Sequence, residues 1–278
     1  MRSALTSSVV LLAALAVAGC TTAGASPSAS TAASAAPPSA TAPSTAPSPS
    51  ADACSKDSLT TITAGKLTVG TDNPAYPPYF QIPEGTATAP WELGDPTNGE
   101  GFESAFAYAL ADKLGFGEAD VAWVVVPFDN AIAPGAKTFD INVNQVSFKP
   151  ERAEAVDLSD GYYTLNQSIV GLKDNGVASA KTVADLKAFK FGAQTGTTSL
   201  DTINDVIAPT AAAQVYNTND DAIAGLKAKQ IDGLVVDLPT AFYVTSAQVE
   251  NSVIVGQFPR RRAPTPSTSA SPSQRTVP

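Results

Sequence analysis

The stretch FDINVNQVSFKPERAEAVDLSDGYY, residues 139–163, combines a strand pattern, a polar turn and a helix start. Ile141 and Val143 alternate with two asparagines, and this alternation is the period of a strand with one buried face. Pro150 suits the first turn of a helix, because the N–H group that it lacks would have no partner there. The stretch therefore predicts a strand, a turn, one short helix and a second strand near its end.

Arg152 lies within the first turn of that helix, just beyond the carboxyl end of the predicted strand. Clefts of α/β sheets form at such strand ends, so we expect Asn144, Gln145 and Ser147 beside its guanidinium. The planar fork of arginine donors suits a carboxylate. An arginine at a helix start is, however, more often solvated or paired with a neighbouring carboxylate. The residues alone leave both interpretations open.

The same stretch resembles the signature of the bacterial extracellular solute-binding proteins of family 3, the amino-acid receptors of ABC importers. The resemblance rests on the run KPER at residues 149–152 and the run DLSDGYY at residues 157–163. A second matching run, GTDNPAYPPY, occupies residues 70–79. Lys149 departs from the threonine usual in the family, so a hydroxyl that could cap the helix is absent.

The resemblance implies an α/β, two-lobed fold of the type II periplasmic-binding-protein kind. Each lobe is expected to be a mixed sheet flanked by helices, with a hinge between the lobes. We expect a first lobe at residues 53–161, a hinge at 162–166 and a second lobe at 167–258. About two hundred residues suffice for two lobes with a real core.

The resemblance stops after the second lobe, whereas the family's chain returns to complete the first lobe. Residues 259–278 are rich in Pro, Ser, Thr and Arg, and we expect them to be a disordered tail. A frameshift or truncation would explain the change. The sheet faces carrying Val69, Val124 and Val126 would then be partly uncovered, which predicts a poorly stable chain that binds ligand weakly or not at all.

The N-terminal residues 1–20 have the pattern of a lipoprotein signal peptide. A short apolar core leads into Val17-Ala18-Gly19-Cys20, which resembles a lipobox, so Cys20 is the expected lipidation site. Ordinary secretion with cleavage nearby is the alternative. Residues 21–52 are almost wholly Ala, Ser, Pro and Thr and predict a disordered tether. We expect a lipid-anchored protein on the outer face of the cytoplasmic membrane.

The overall composition excludes several classes of function. The chain has a formal net charge of −9, and it has no histidine. Nucleic acid is therefore not an expected partner, and Ser-His-Asp catalysis or His-ligated zinc has no residues to build on. Neither a GxxxxGK[ST] motif nor a GxGxxG motif follows a predicted strand. We expect no cofactor and no metal site.

The resemblance also implies a ligand site made by both lobes. Arg152 would bind the α-carboxylate of an amino acid, and Thr197 and Thr198 would add donors from the second lobe. Asp237, near the end of the run IDGLVVDLP, would hold the α-ammonium group. A simpler interpretation stays open, because threonine and aspartate at such positions often only cap helices.

Aromatic residues and a further carboxylate complete the expected site. Tyr76 and Phe128 would enclose the ligand side chain, and Asp72 would match its charge, although aromatics in such a loop also simply cover a core. The expected ligand-binding residues are Asp72, Tyr76, Phe128, Asn144, Gln145, Ser147, Arg152, Gln194, Thr197, Thr198 and Asp237.

The resemblance thus predicts a monomeric, non-enzymatic receptor that captures a free amino acid and delivers it to the permease of an ABC transporter. Two other classes stay open. One is a sensor or surface lipoprotein that does not transport, and the other is a dehydratase-type enzyme on the same fold.

Overall fold

The computed structural model describes residues 54–259. The predicted signal peptide, the tether with Cys20 and the tail from residue 260 onward lie outside the described residues. Two β-sheets organise the described part, and we call each sheet with its helices a lobe. Among the helices of residues 54–259, none combines the length and the apolar character needed to cross a membrane.

The first lobe contains a three-stranded sheet in the order β2-β1-β3. These strands are β1 at Leu67–Thr71, β2 at Val121–Val125 and β3 at Ile141–Asn142. Both strand pairs are parallel. The described part of this sheet is therefore not mixed as predicted, because each connection between its strands crosses over from one end of the sheet to the other.

Three helices belong to the first lobe: α1 at Phe102–Lys113, α2 at Phe128–Ile132 and α3 at Pro150–Ala153. The alanines of α1 that face the sheet pack on β1 in one apolar cluster. Val69 is fully buried and Val126 is only 4% exposed. The expectation that these two valines are partly uncovered is therefore wrong, because α1 covers the one and the loop of residues 139–142 approaches the other.

The second lobe contains a five-stranded mixed sheet in the order β6-β5-β7-β4-β8. The strands β5, β6 and β7 are parallel neighbours, whereas β4 runs antiparallel to β7 and β8. The strands are β4 at Gln167–Leu172, β5 at Phe191–Gln194, β6 at Gln214–Tyr216, β7 at Gly233–Asp237 and β8 at Ser252–Phe258.

Both faces of this sheet are buried. Ile169 and Val235 pack in the cluster on one face, while Val170 and Leu234 pack in the cluster on the other. Because successive strand residues point to opposite faces, continuous apolar runs are required in such strands. The covering helices are α4 at Val183–Leu186, α5 at Thr198–Asp201 with a π-helix at Thr202–Ile207, α6 at Asn219–Lys227, and α7 at Leu238–Tyr243 with a π-helix at Val244–Gln248.

Two segments of the first lobe differ from what their sequence indicates. The apolar run of β2 is typical of a buried parallel strand, but β2 is an edge strand whose residues are half-exposed or exposed. The end of residues 139–163 forms no strand. Instead, the ring of Tyr162 stacks on Phe106 of α1 at 4.6 Å between ring centroids, and the ring of Tyr163 meets Phe102 edge-on at 5.0 Å. These aromatic contacts take the place of strand pairing.

Short 3-10 helices complete the described segments, and the predicted lobe and hinge boundaries stay predictions. The 3-10 helices lie at Lys56–Ser58, Pro96–Asn98, Glu118–Asp120 and Gly176–Ser179.

Candidate ligand-binding cleft

A cleft with a cavity volume of about 50 Å³ lies between the two lobes and is partly open to solvent. Its walls come from the segments that follow β1, β2 and β3 in the first lobe and β5, β6 and β7 in the second. Three parallel strands of each lobe thus end at the cleft, where α/β folds place their ligands. All eleven residues expected from the sequence line this cleft.

Arg152 is only 5% exposed and lies in the wall of the cleft. Its guanidinium donates to the backbone carbonyl of Ser147 at 2.6 Å, and across the cleft to the carbonyl of Gly196 at 2.6 Å. Arg152 takes part in none of the salt bridges among the described residues. Burial lowers its pKa. The fork therefore keeps donors for an anion, and the carboxylate-binding role of Arg152 stays a prediction.

Asn144 supplies a second donor beside this arginine. Its side chain is 7% exposed, and its Nδ2 has no hydrogen-bond partner among the described residues. A buried amide N–H group without a partner costs free energy. A ligand oxygen in the cleft would satisfy it.

Asp237 ends β7 and faces the cleft from the second lobe. Its carboxylate makes no capping hydrogen bond to the helix that follows, so the capping interpretation is wrong. Gln167 Nε2 donates to its Oδ1 at 2.5 Å, and no salt bridge among the described residues includes it. Burial raises the pKa of Asp237 to about 6, which the bond from Gln167 opposes.

Asp72 places a second carboxylate on the opposite wall. Its Oδ2 accepts from Gln194 Nε2 at 3.0 Å, and its Oδ1 accepts from the backbone N–H of Asn73 at 2.8 Å. Burial raises its pKa, and these hydrogen bonds oppose that shift. Gln194 belongs to the second lobe, so this contact joins the two sides of the cleft.

The two aromatic residues of the site are each engaged with protein groups. The ring of Phe128 lies 5.5 Å from the guanidinium carbon of Arg152, a cation–π distance. The hydroxyl of Tyr76 donates to Asp220 of the second lobe, and its ring meets Tyr243 edge-on at 6.3 Å. Both rings line the cleft, but Phe128 also orients the arginine.

The second-lobe threonines behave differently from each other. Thr197 is the N-cap of α5, where its hydroxyl accepts from the N–H of Leu200 at 3.2 Å and donates to the carbonyl of Gln194 at 2.7 Å. The hydroxyl of Thr197 is thus occupied by capping. The hydroxyl of Thr198 accepts from Gln167 Nε2 at 3.3 Å, and Gln167 also contacts Asp237. Gln167 therefore connects two of the predicted site residues.

Lys149 and Asp201 form a salt bridge across the cleft. Lys149 is the N-cap of α3 and, as expected, makes no side-chain capping bond. Its Nζ instead lies 2.7 Å from Oδ2 of Asp201 in α5. Among the described residues, four polar side-chain contacts thus join the lobes at the cleft: Arg152 with Gly196, Gln194 with Asp72, Tyr76 with Asp220, and Lys149 with Asp201.

The sequence matches a known family along most of both lobes. Residues 67–235 match the family described as bacterial extracellular solute-binding proteins, family 3, a match that spans more than half of the chain. The chain belongs to this family.

Curated relatives of the chain in this family are similar over part of their length. The chain is 30% identical over 151 residues to the arginine-binding extracellular protein ArtP of Bacillus subtilis (strain 168), covering 53% of this chain and 56% of that protein. It is 30% identical over 139 residues to ABC transporter arginine-binding protein 1 of Escherichia coli (strain K12), covering 49% of this chain and 54% of that protein. The chain thus spans about half the length of these relatives.

A solved structure extends the similarity to the fold. An ancestral arginine-binding protein bound to glutamine superimposes with a TM-score of 0.58 at 29% identity, covering 71% of this chain and 80% of that chain. This likeness confirms the predicted α/β fold of the type II periplasmic-binding kind.

Sequence reasoning missed several residues of this family member's cleft. Thr218 and Asn219 follow β6, so the strand-end rule that pointed to Arg152 applies to them as well. Glu103, which no signal in the sequence connected with the site, is a fully buried carboxylate behind Gln145. The missed lining residues are Pro74, Ser199, Thr218, Asn219, Val236 and Thr240.

Proposed function

We propose that this protein is a receptor that binds a free amino acid between its two lobes. The observation that carries the proposal is that the cleft is lined by a buried guanidinium and by two carboxylates, one from each lobe, and that none of the three is in a salt bridge among the described residues. A zwitterion satisfies such a set. Arg152 would bind the α-carboxylate, and Asp237 would hold the α-ammonium.

The charges that line the cleft also favour an amino-acid ligand with a cationic side chain. Once an α-carboxylate pairs with Arg152 and an α-ammonium with Asp237, Asp72 is the lining carboxylate that still lacks a cation. A guanidinium or ammonium on the ligand would supply it, with Tyr76 and Phe128 enclosing the aliphatic part. The names of both curated relatives, which are arginine-binding proteins, support arginine as the first ligand to test.

The place of this receptor in the cell is part of the proposal. The family and the relatives support delivery of the amino acid to an ABC transporter, without catalysis by this chain. We propose a monomer held to the outer face of the membrane by lipid on Cys20, with lobe closure as the signal to the permease.

Titration calorimetry of the full chain with arginine tests the proposal. We expect arginine to bind, and glutamine, which lacks the cationic side chain, to bind at least about tenfold more weakly, since a charge-assisted hydrogen bond contributes ~1.5–3 kcal/mol. The exchange Arg152→Ala should weaken the binding of free arginine by about a hundredfold or more. The exchange Lys113→Ala, at an exposed position outside the cleft, is the matched control. If the Arg152→Ala variant bound free arginine as tightly as the wild type, the assigned role of Arg152 in binding the α-carboxylate would be disproved.

A further inference from the structure

Glu103 is a buried carboxylate directly behind the cleft. It lies in the first turn of α1, and its side chain is 0% exposed. Its Oε1 accepts from the backbone N–H of Gln145 at 2.9 Å and from the hydroxyl of Tyr162 at 2.5 Å. Its Oε2 accepts from the side-chain amide of Gln145. One carboxylate therefore binds both the main chain and the side chain of a residue that lines the cleft.

Gln145 has a backbone conformation that needs such support. Its φ is +49°, in the left-handed region that residues other than glycine rarely adopt. A strained backbone of this kind persists only when its surroundings hold it. The strain occurs between Asn144 and Ser147, where the loop supplies a free amide donor to the cleft and a carbonyl to Arg152.

Tyr162 connects the same carboxylate to the path between the lobes. The segment that contains it runs from the first lobe into β4 of the second. Its ring stacks on Phe106, one turn along α1 from Glu103. Glu103 thus joins the cleft loop, α1 and the connection between the lobes.

We propose that Glu103 is a positioning residue for ligand binding, which holds Gln145 in its left-handed conformation and ties the cleft loop to Tyr162. The inference rests on the proposed function, because it assumes that the cleft binds an amino acid. Glu103 touches no ligand itself. It acts by fixing the loop that presents Asn144 and Ser147.

This arrangement makes affinity depend on pH. Burial raises the pKa of Glu103 to about 7, opposed by the hydrogen bonds from Tyr162 and Gln145 and assisted by the charge of Asp237. The tyrosines at positions 79 and 163 are the other titratable groups that face it. A ligand ammonium at Asp237 would offset that negative charge and favour ionised Glu103. Affinity should therefore fall as the pH falls through about 7.

The first experiment measures the affinity of the full chain for arginine between about pH 5.5 and about pH 8.5, a range that brackets this titration. In the wild type we expect a component near pH 7 from Glu103 beside one near pH 6 from Asp237, and the chain has no histidine to add another. The near-isosteric exchange Glu103→Gln should remove the component from Glu103 and weaken binding about tenfold at high pH. If the wild type binds no amino acid, the proposed function fails. If it binds and Glu103→Gln keeps the same affinity and pH profile, only this inference fails.

A second experiment separates positioning from a general role in folding. Asparagine tolerates the left-handed region better than glutamine, so the loss caused by Glu103→Gln should be smaller when Gln145→Asn is also present. Equal losses in both backgrounds would overturn the inference. If Glu103→Gln does not fold, Tyr162→Phe removes only one donor at a partly exposed residue. Because that hydrogen bond lowers the pKa of Glu103, its loss should move the midpoint of the pH profile upward, and an unmoved midpoint would contradict the proposal.

Discussion

The proposed function needs Asp237 to be negatively charged, but its burial disfavours the charged form. Burial raises its pKa to about 6, above the ordinary value of an aspartate. The folded chain therefore holds this proton more tightly than the unfolded chain does. The contribution of Asp237 to stability is most favourable below about pH 4 and is lost as the pH rises through about 6. A ligand ammonium would offset this cost at neutral pH.

The prediction at this residue is that Asp237→Asn distinguishes ligands by their ammonium group. Binding of arginine should weaken by about tenfold or more, while the matching α-hydroxy acid, which has no ammonium, should change little. The same exchange should raise the free energy of unfolding of the free chain at pH 7, because the buried charge is gone. Calorimetry with both ligands and denaturant unfolding measure the two effects. Equal weakening of both ligands would show that Asp237 does not hold the ammonium.

How far the sequence predicts the site depends on the kind of residue. Arg152 follows β3 and Asp237 ends β7, both at the cleft, so strand ends and the family resemblance both point to them. Glu103 could not be found in this way, because its role depends on Gln145 and Tyr162, which are distant in sequence. The capping role of Thr197 was foreseen as an alternative, since it depends only on neighbours along the chain.

At the scale of elements, the start of α1 depends on the aromatic loop before it. The N–H groups of Phe102 and Glu103 donate to the carbonyls of Pro78 and Tyr79 at 3.0 and 2.9 Å. These bonds satisfy N-terminal groups that a helix cannot pair internally. Gly101, the N-cap, has a φ of +93°, and an added Cβ would lie 2.5 Å from the carbonyl oxygen of Tyr79. The close approach is possible only for glycine.

The exchange Gly101→Ala should therefore destabilise the first lobe by ~2–4 kcal/mol, through backbone strain and a clash with main-chain atoms that cannot move aside. Denaturant unfolding of the full chain measures the change. The exchange Gly161→Ala is the matched control, because an added Cβ there meets nothing within 4 Å. A similar free energy of unfolding for the two variants would contradict this account of the α1 start.

The sequence indicates a secondary-structure element best where its apolar residues follow a single regular pattern. The alternation in β1 and the apolar run of β7 are typical of strands, and the structure contains both. The apolar run of β2 is typical of a strand buried on both faces, yet β2 is an edge strand, because a run of residues does not specify its neighbours in the sheet. The aromatic pair Tyr162 and Tyr163 likewise packs on α1, a choice that depends on tertiary contacts.

At the scale of the whole described part, contacts across the cleft decide how the lobes are held together. The salt bridge between Lys149 and Asp201 joins the N-termini of two helices, α3 with Arg152 and α5 after Thr197. Both side chains are partly exposed, at 32% and 41%. A pair of this exposure stabilises by only ~0.2–1 kcal/mol. It can still matter for binding, because it forms only when the lobes are together.

The exchange Lys149→Thr, which introduces the hydroxyl usual in the family, should therefore speed ligand release by about two- to fivefold and leave the association rate nearly unchanged. Asp201→Asn should give the same effect, and the double variant should be no faster than either single one, because both remove the same contact. Stopped-flow measurements of arginine release test this, and salt at ~0.5 M should reduce the difference from the wild type. Asp174→Asn, which breaks the pair of Asp174 with Lys229 within the second lobe, is the matched control. An additive double variant, or an equal effect of the control, would show that the pair does not hold the lobes together.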